Sequence, residues 1–186
     1  MKVTIISGSP RHQSVTVRVA QYLLETLSFR YAQHNFELIT MNHINLPFVE
    51  NVWSDIHDVP EEHSAIAKKI FDADAFILIS PEYNGAYSAS MKNLLDHFPK
   101  QGKKVFGIVT ASPGALGGIR AAQQMQNLIC GLFGIPCPNM LTVGAVDKKF
   151  NAEGQLLDEN YDKVINGFMQ DFMWQAEAIF EKKSSS

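Results

Sequence analysis

An open, doubly wound α/β sheet is the fold class that this sequence predicts, on three observations. Short apolar runs alternate with stretches of helical period along the whole chain, the pattern of repeated strand–helix–strand units. The run Ala75-Phe76-Ile77-Leu78-Ile79 is apolar at every position, as in a parallel strand covered on both faces. The 186 residues, 46% of them hydrophobic, suffice for one domain with a substantial core. No internal repeat, low-complexity stretch or boundary divides the chain. Residues 1–181 are therefore expected to form a single domain, and 182–186 (Lys182-Lys183-Ser184-Ser185-Ser186) a frayed, disordered tail.

Val3–Gly8 reads as the first strand, and Ser14–Leu27 as a helix whose apolar face is Val15, Val19, Leu23 and Leu27. Phe36–Met41 is a short second strand. Asn42–Pro60, with Pro47, Pro60 and scattered aromatics, is too long for a simple turn, and such loops are commonly functional or interfacial. Glu61–Asp72 is helical with Ile66 and Ile70 on one face, and Ala75–Ile79 is the third strand. Ala89–His97 is a helix, Val105–Thr110 the fourth strand, Gly117–Phe133 a helix and Asn139–Val143 the last strand. The final helix is amphipathic through Tyr161, Val164, Ile165, Phe168, Met169, Phe172 and Ile179. Five strands suit the flavodoxin-like order 2-1-3-4-5, with helices on both faces, better than the longer dinucleotide-binding order. That order places the ligand crevice at the carboxyl ends of strands one and three. Function is then expected just after Gly8 and just after Ser80, with a third contribution after Thr110.

Charge and composition narrow the classes. A net charge of -3, from 16 basic and 19 acidic residues, provides no basic field for nucleic acid or an anionic membrane. No apolar run approaches the roughly 18 residues of a membrane span and no signal-peptide pattern opens the chain, so a cytoplasmic protein is expected. Cys130 and Cys137 are too few for a disulfide framework, match no metal spacing and lie among apolar residues, which predicts buried free thiols. The six histidines are scattered without metal spacing; no metal site is expected, and exposed side chains are.

All three expected crevice segments carry unusual sequence. Gly8-Ser9-Pro10-Arg11-His12-Gln13-Ser14-Val15-Thr16 leads from a strand into a helix start. Backbone N–H groups, a positive dipole end and the Arg11 guanidinium together form an anion site, most often for phosphate. The segment lacks both G-x-x-x-x-G-K-[ST] and G-x-G-x-x-G, which points to a phosphomonoester cofactor such as FMN. The alternative is an ordinary turn in which Ser9 or Ser14 caps the helix. In Ser80-Pro81-Glu82-Tyr83-Asn84-Gly85-Ala86-Tyr87, Pro81 cannot continue a central ladder and Asn84-Gly85 tolerates positive φ. Its two tyrosines offer a flat apolar wall beside backbone donors, as a tricyclic isoalloxazine ring requires; a plain surface turn is the alternative. In Ala111–Arg120, three glycines near a helix start permit close approach to a flat ligand, or simply form a flexible loop with Gly117-Gly118 at the cap.

The segments Gly8-Ser9-Pro10-Arg11 with Ser14, Pro81-Glu82-Tyr83-Asn84-Gly85 with Lys92-Asn93 and Leu95-Asp96, and Ser112-Pro113-Gly114 with Gly117-Gly118 resemble the NADPH-dependent FMN reductase family of quinone, azo-dye and chromate reductases. The likeness runs from the first strand through the last helix. It implies that Ser9, Arg11 and Ser14, with the backbone around Val15 and Thr16, hold the FMN phosphate. Pro81, Glu82, Tyr83 and Asn84 would line the ring edge, largely through backbone atoms, while Ser112 and Gly117 close the remaining side. Thr16 stands where many relatives have Asn, Ala89 replaces a frequent Gly, Ala86 a frequent Ser or Thr, and Pro10 removes one backbone donor.

The implied activity is hydride transfer from NADPH or NADH through the flavin N5 to a quinone, free flavin or similar small acceptor, by a ping-pong scheme that needs no catalytic acid–base pair. Tyr83 and Tyr87 would wall the shared slot; Phe98 suits a core role better than a contribution from a neighbouring subunit. Members of the family are dimers or tetramers with ring sites near the subunit boundary. The apolar Phe48, Val49, Val52 and Trp53 of the long loop are accordingly expected beneath a partner subunit rather than folded back on the core. Arg18 and Arg120 are available for a 2′-phosphate, though surface charges need no such role.

A flavodoxin-type carrier, binding FMN without direct reduction by NAD(P)H, is the main alternative, but such carriers are strongly acidic and lack an arginine in the phosphate loop. A dinucleotide dehydrogenase requires an acid at the end of the second strand, where Thr40-Met41-Asn42 stands. A cysteine phosphatase requires a cysteine ahead of Arg11, and a receiver domain an aspartate in place of Ser80. A cofactor-free interaction module that keeps the fold is a further alternative.

Overall fold

The computed structural model describes residues 1–184. Strand β1 (Lys2–Ser7) lies between β2 (Asn35–Thr40) and β3 (Ala75–Ser80), and β3 pairs with β4 (Val105–Ala111); every pairing is parallel. All residues of β3 and β4 are buried, as two covered faces require. Along β3 the side chains alternate between two cores. Ala75, Ile77 and Ile79 join Leu23 and Leu27 of α1 (Val15–Arg30) and Phe168 and Phe172 of α6 (Glu159–Ser184). Phe76 and Leu78 join Ile70 of α2 (Ser64–Phe71), Leu94 of α3 (Ala89–Asp96), and Met125 and Ile129 of α4 (Ile119–Gly131). The sheet order is the expected one, β2-β1-β3-β4 with a fifth position at the far edge.

That fifth position is divided, where the sequence predicts one strand over Asn139–Val143. β5 (Ile135–Pro136) pairs with Val105 and Phe106, and β6 (Leu141–Val143) with Val109, Thr110 and Ala111. Pro136 and Pro138 have no N–H to give a ladder, so the edge opens between them, and only the Cys137 amide bridges to the Phe106 carbonyl at 2.8 Å. A four-residue helix, α5 (Val146–Lys149), follows.

The long loop also departs from expectation. Trp53 folds back onto the core, 8% exposed, against His97, His63 and Phe98, and its amide donates to the His97 carbonyl at 2.7 Å. Phe48, Val49 and Val52 stay exposed. Phe98 is a core residue packed on Phe71. His63 and His97 are buried, because the Trp53 ring covers them, rather than exposed as expected. Cys137 is buried, but Cys130 sits on the outward side of α4 and is exposed. The last helix carries Lys182 and Lys183 through to Ser184, where a frayed tail was expected; Ser185 and Ser186 lie outside the described residues. Among the described residues, no helix is long and apolar enough to cross a membrane.

Candidate functional site

The carboxyl ends of β1, β3 and β4 open side by side onto three loops. The Gly8 amide still bonds the Ile79 carbonyl at 2.8 Å before the chain turns away. Its own carbonyl is taken by the hydroxyls of Ser88 and Ser90, at the start of α3. A Cβ on Gly8 would lie 2.6 Å from Met91 Cε and 2.8 Å from Met91 Cβ, so only glycine lets α3 come this close. Ser9 is buried, and its hydroxyl accepts the Arg11 amide at 3.3 Å. Ser14 precedes α1 with extended backbone, yet its side chain bonds no helix amide. It bonds Thr16 Oγ1 instead, at 2.7 Å.

Helices α1, α3 and α4 begin at the three crevice loops, and their N-termini differ. The Ser88 hydroxyl accepts the Met91 amide at 3.3 Å and caps α3. The Glu82 carboxylate caps α4, accepting the Arg120 and Ala121 amides at 3.1 and 3.4 Å and the Arg120 guanidinium at 3.3 Å. The first turn of α1 has no acidic residue and no side-chain cap. Its first amide groups lack intrahelical partners, and no acidic side chain of its own first turn faces its positive end. Among these three starts, α1 is the one without a side-chain cap or an acidic first turn, apart from Gly118-started α4, which takes its cap from Glu82.

A cavity of about 160 Å³ sits at that end of α1. It gathers nine of the residues singled out from the sequence: Ser9, Arg11, Ser14, Val15 and Thr16 from the first loop, Pro81, Glu82 and Tyr83 from the second, and Ser112 from the third. The Arg11 guanidinium lies 4.9 Å from the Tyr83 ring centroid, linking the first two loops across the opening. The buried Tyr83 hydroxyl has no hydrogen-bond partner among the described residues. Gln13, Ala111 and Pro113 complete the lining. Gln13 was not foreseen; its place between Arg11 and Ser14 was the available signal.

Two of the residues expected at the site stand outside this cavity. Asn84 (φ 52°) and Gly85 (φ 81°) form the tip of a tight turn closed by reciprocal Tyr83 and Ala86 backbone bonds, and Asn84 is exposed there. Gly117 borders an adjoining cavity of about 300 Å³ that shares Glu82 and Ser112 with the first. Its positive φ of 63° is accompanied by close packing against β6, for a Cβ would meet the Gly144 amide nitrogen at 2.7 Å. Tyr87 packs on the core and lines a separate cavity with Lys92 and Asp96; burial raises its phenol pKa. Arg18 and Arg120 are ion-paired with Asp147 and Glu82.

The donor set fits FMN. Uncompensated amides, hydroxyls and one guanidinium suit a phosphate at one end, and the linked cavities continue toward the Tyr83 and Ser112 loops for the remainder of an elongated ligand.

Comparison with known proteins agrees. The chain is 25% identical over 180 residues to a 2-hydroxy-1,4-benzoquinone reductase of Burkholderia sp, covering 92% of this chain and 94% of that protein. It is 28% identical over 158 residues to an FMN-dependent NADPH-azoreductase of Staphylococcus saprophyticus subsp. saprophyticus, covering 80% of each. Among solved structures, the flavoenzyme NAD(P)H:(acceptor) oxidoreductase FerB of Paracoccus denitrificans superposes with a TM-score of 0.70 at 23% identity, over 95% of this chain and 97% of that one. A flavodoxin of Pseudomonas aeruginosa superposes with a TM-score of 0.57 at 19% identity, over 93% and 99%. At those identities the structures speak for the fold alone. The sequence profile described as NADPH-dependent FMN reductase matches residues 1–147, most of the chain, and the protein belongs to that family of FMN-dependent enzymes that use NAD(P)H as reductant.

Proposed function

We propose that this protein reduces small diffusible acceptors, quinones foremost, with NAD(P)H and acceptor using one site in alternation. The observation that carries the reading is the uncompensated start of α1, opening into a crevice built jointly by the loops at Ser9, Tyr83 and Ser112. Ser9, Arg11 and Ser14, with the Val15 and Thr16 amides, hold the phosphate. Pro81, Glu82 and Tyr83 border the ring through their backbone, and Ser112 limits its other side. Asn84 meets the ring edge from the turn tip, and Gly117 keeps the third loop in place. When bound, FMN supplies the two-electron chemistry between nicotinamide and acceptor. The chain's own task is to bind, orient and leave one approach open, so it needs no acid–base pair. Quinone is favoured because the Burkholderia quinone reductase aligns along nearly all of both chains. Phe48, Val49 and Val52 remain exposed on the long loop and support assembly as a homodimer or homotetramer.

The test is the visible spectrum of the FMN-loaded protein mixed with NADPH without oxygen. Rapid bleaching, reversed by added benzoquinone, is the expected result, with parallel double-reciprocal lines when both substrates are varied. A flavin that NADPH leaves oxidised makes the protein a flavodoxin-type carrier instead.

A further inference from the structure

We infer that Thr16 is a positioning residue that fixes the Ser14 hydroxyl as a donor toward the phosphate, through a directed chain of three hydroxyls beginning at Ser7. The inference rests on the phosphate site proposed above. Ser7 Oγ lies 3.1 Å from Thr16 Oγ1, and Thr16 Oγ1 lies 2.7 Å from Ser14 Oγ. Ser7 and Thr16 are fully buried, and Thr16 and Ser14 both line the cavity, Ser14 as the more accessible of the two.

Burial sets the direction of the chain. Among the described residues, Thr16 is the only hydrogen-bond partner of the Ser7 hydroxyl. Were Thr16 to donate to Ser7, the Ser7 proton would be buried without an acceptor, which is the costly arrangement. Ser7 therefore donates to Thr16, and Thr16, with its single proton, donates to Ser14. Ser14 can then no longer donate to Thr16. Its proton is directed away from the chain, toward the cavity where the α1 amides and Arg11 already favour an anion. Each donated bond also polarises the next, so the last hydroxyl is a better donor than an isolated serine. Reversed, the same three residues would face the phosphate with lone pairs.

The test compares FMN with riboflavin, which lacks the phosphate, by fluorescence-quenching titration of the parent, Ser14→Ala, Thr16→Val and the double variant. Ser14→Ala should lower the FMN-over-riboflavin preference roughly tenfold, the size of one charge-assisted hydrogen bond. Thr16→Val should lower it by about threefold or more in the parent and not at all once Ser14 is alanine, since its effect passes through that hydroxyl. Thr16→Ser, which keeps the hydroxyl and folds where valine does not, should retain the parent's preference. Three results overturn the inference: Thr16→Val weakening both ligands equally, its effect adding in full to that of Ser14→Ala, or Thr16→Ser behaving like valine. A parent protein that binds FMN no better than riboflavin has a different failure, that of the phosphate site itself, and removes the chain's target with it.

Discussion

Gly8 and Arg11 stand three positions apart and matter for opposite reasons, one for what it lacks and the other for its charge. At Gly8 a methyl group would overlap Met91, so Gly8→Ala is expected to destabilise the fold by about 1–3 kcal/mol, as overpacking does. Urea unfolding would show this as a lower midpoint at unchanged slope, and FMN affinity should fall with it as α3 and the loop separate. At Arg11 the loss is electrostatic. A charge-assisted hydrogen bond contributes about 1.5–3 kcal/mol, and about 2 kcal/mol corresponds to roughly thirty-fold in affinity. Arg11→Ala should therefore weaken FMN by about thirty-fold in a fluorescence titration and riboflavin much less. Equal losses for both flavins would assign the guanidinium to the ring, beside Tyr83, instead of to the phosphate. Ser9, Arg11 and Ser14 were legible in the sequence because a helix start after a strand carries its chemistry locally. Gln13 offered only its place between Arg11 and Ser14, and the cavity puts it in the lining.

Elements at the carboxyl edge divide the work through their helix starts. α4 begins at Gly118, whose left-handed backbone (φ 88°) carries no side chain to cap the helix. The cap comes instead from Glu82, on the loop after β3. The family resemblance implies that Glu82 lines the ring edge, largely through backbone atoms. Its carboxylate has this second task, filling the α4 terminus while the α1 terminus stays uncapped by any side chain. Glu82→Ala is expected to cost about 1 kcal/mol of stability, the usual size of a cap with a favourable charge, and a thermal melt would register it. If Glu82 meets the ligand only through its backbone, FMN affinity should stay unchanged in the same variant. A large loss of FMN with no change in melting would reverse that assignment.

Across the whole molecule, the two ends of the sheet carry different polar groups. The carboxyl end gathers the loops of the crevice, while at the amino end Lys104 enters β4 with its ammonium over the Phe76 ring and bonded to Gln101 Oε1 at 2.8 Å. Burial, with Lys183 nearby, lowers its pKa from 10.5 to about 8. The folded chain then binds fewer protons than the unfolded chain between about 8 and 10.5, so stability from this group rises with pH across that window. Its destabilising effect is complete below about 8 and is relieved toward 10.5. Lys104→Met should raise the melting temperature at neutral pH, and the gain should vanish above about 10.5. A gain of equal size at every pH would point to packing instead of charge.

Local chemistry was enough to identify most strands and helices, their order in the sheet and the three loops of the crevice. Hydrophobic period, proline and glycine act over a few residues, and a parallel sheet of this size has few permitted orders. Long-range contacts account for the rest. Pairing along β4 and two prolines divided the last strand, Trp53 was drawn onto His97 from across the long loop, and Glu82 found the amides of α4. The Ser7 hydroxyl at the end of β1 found Thr16 of α1 for the same reason, since a buried hydroxyl takes the nearest acceptor that folding brings to it.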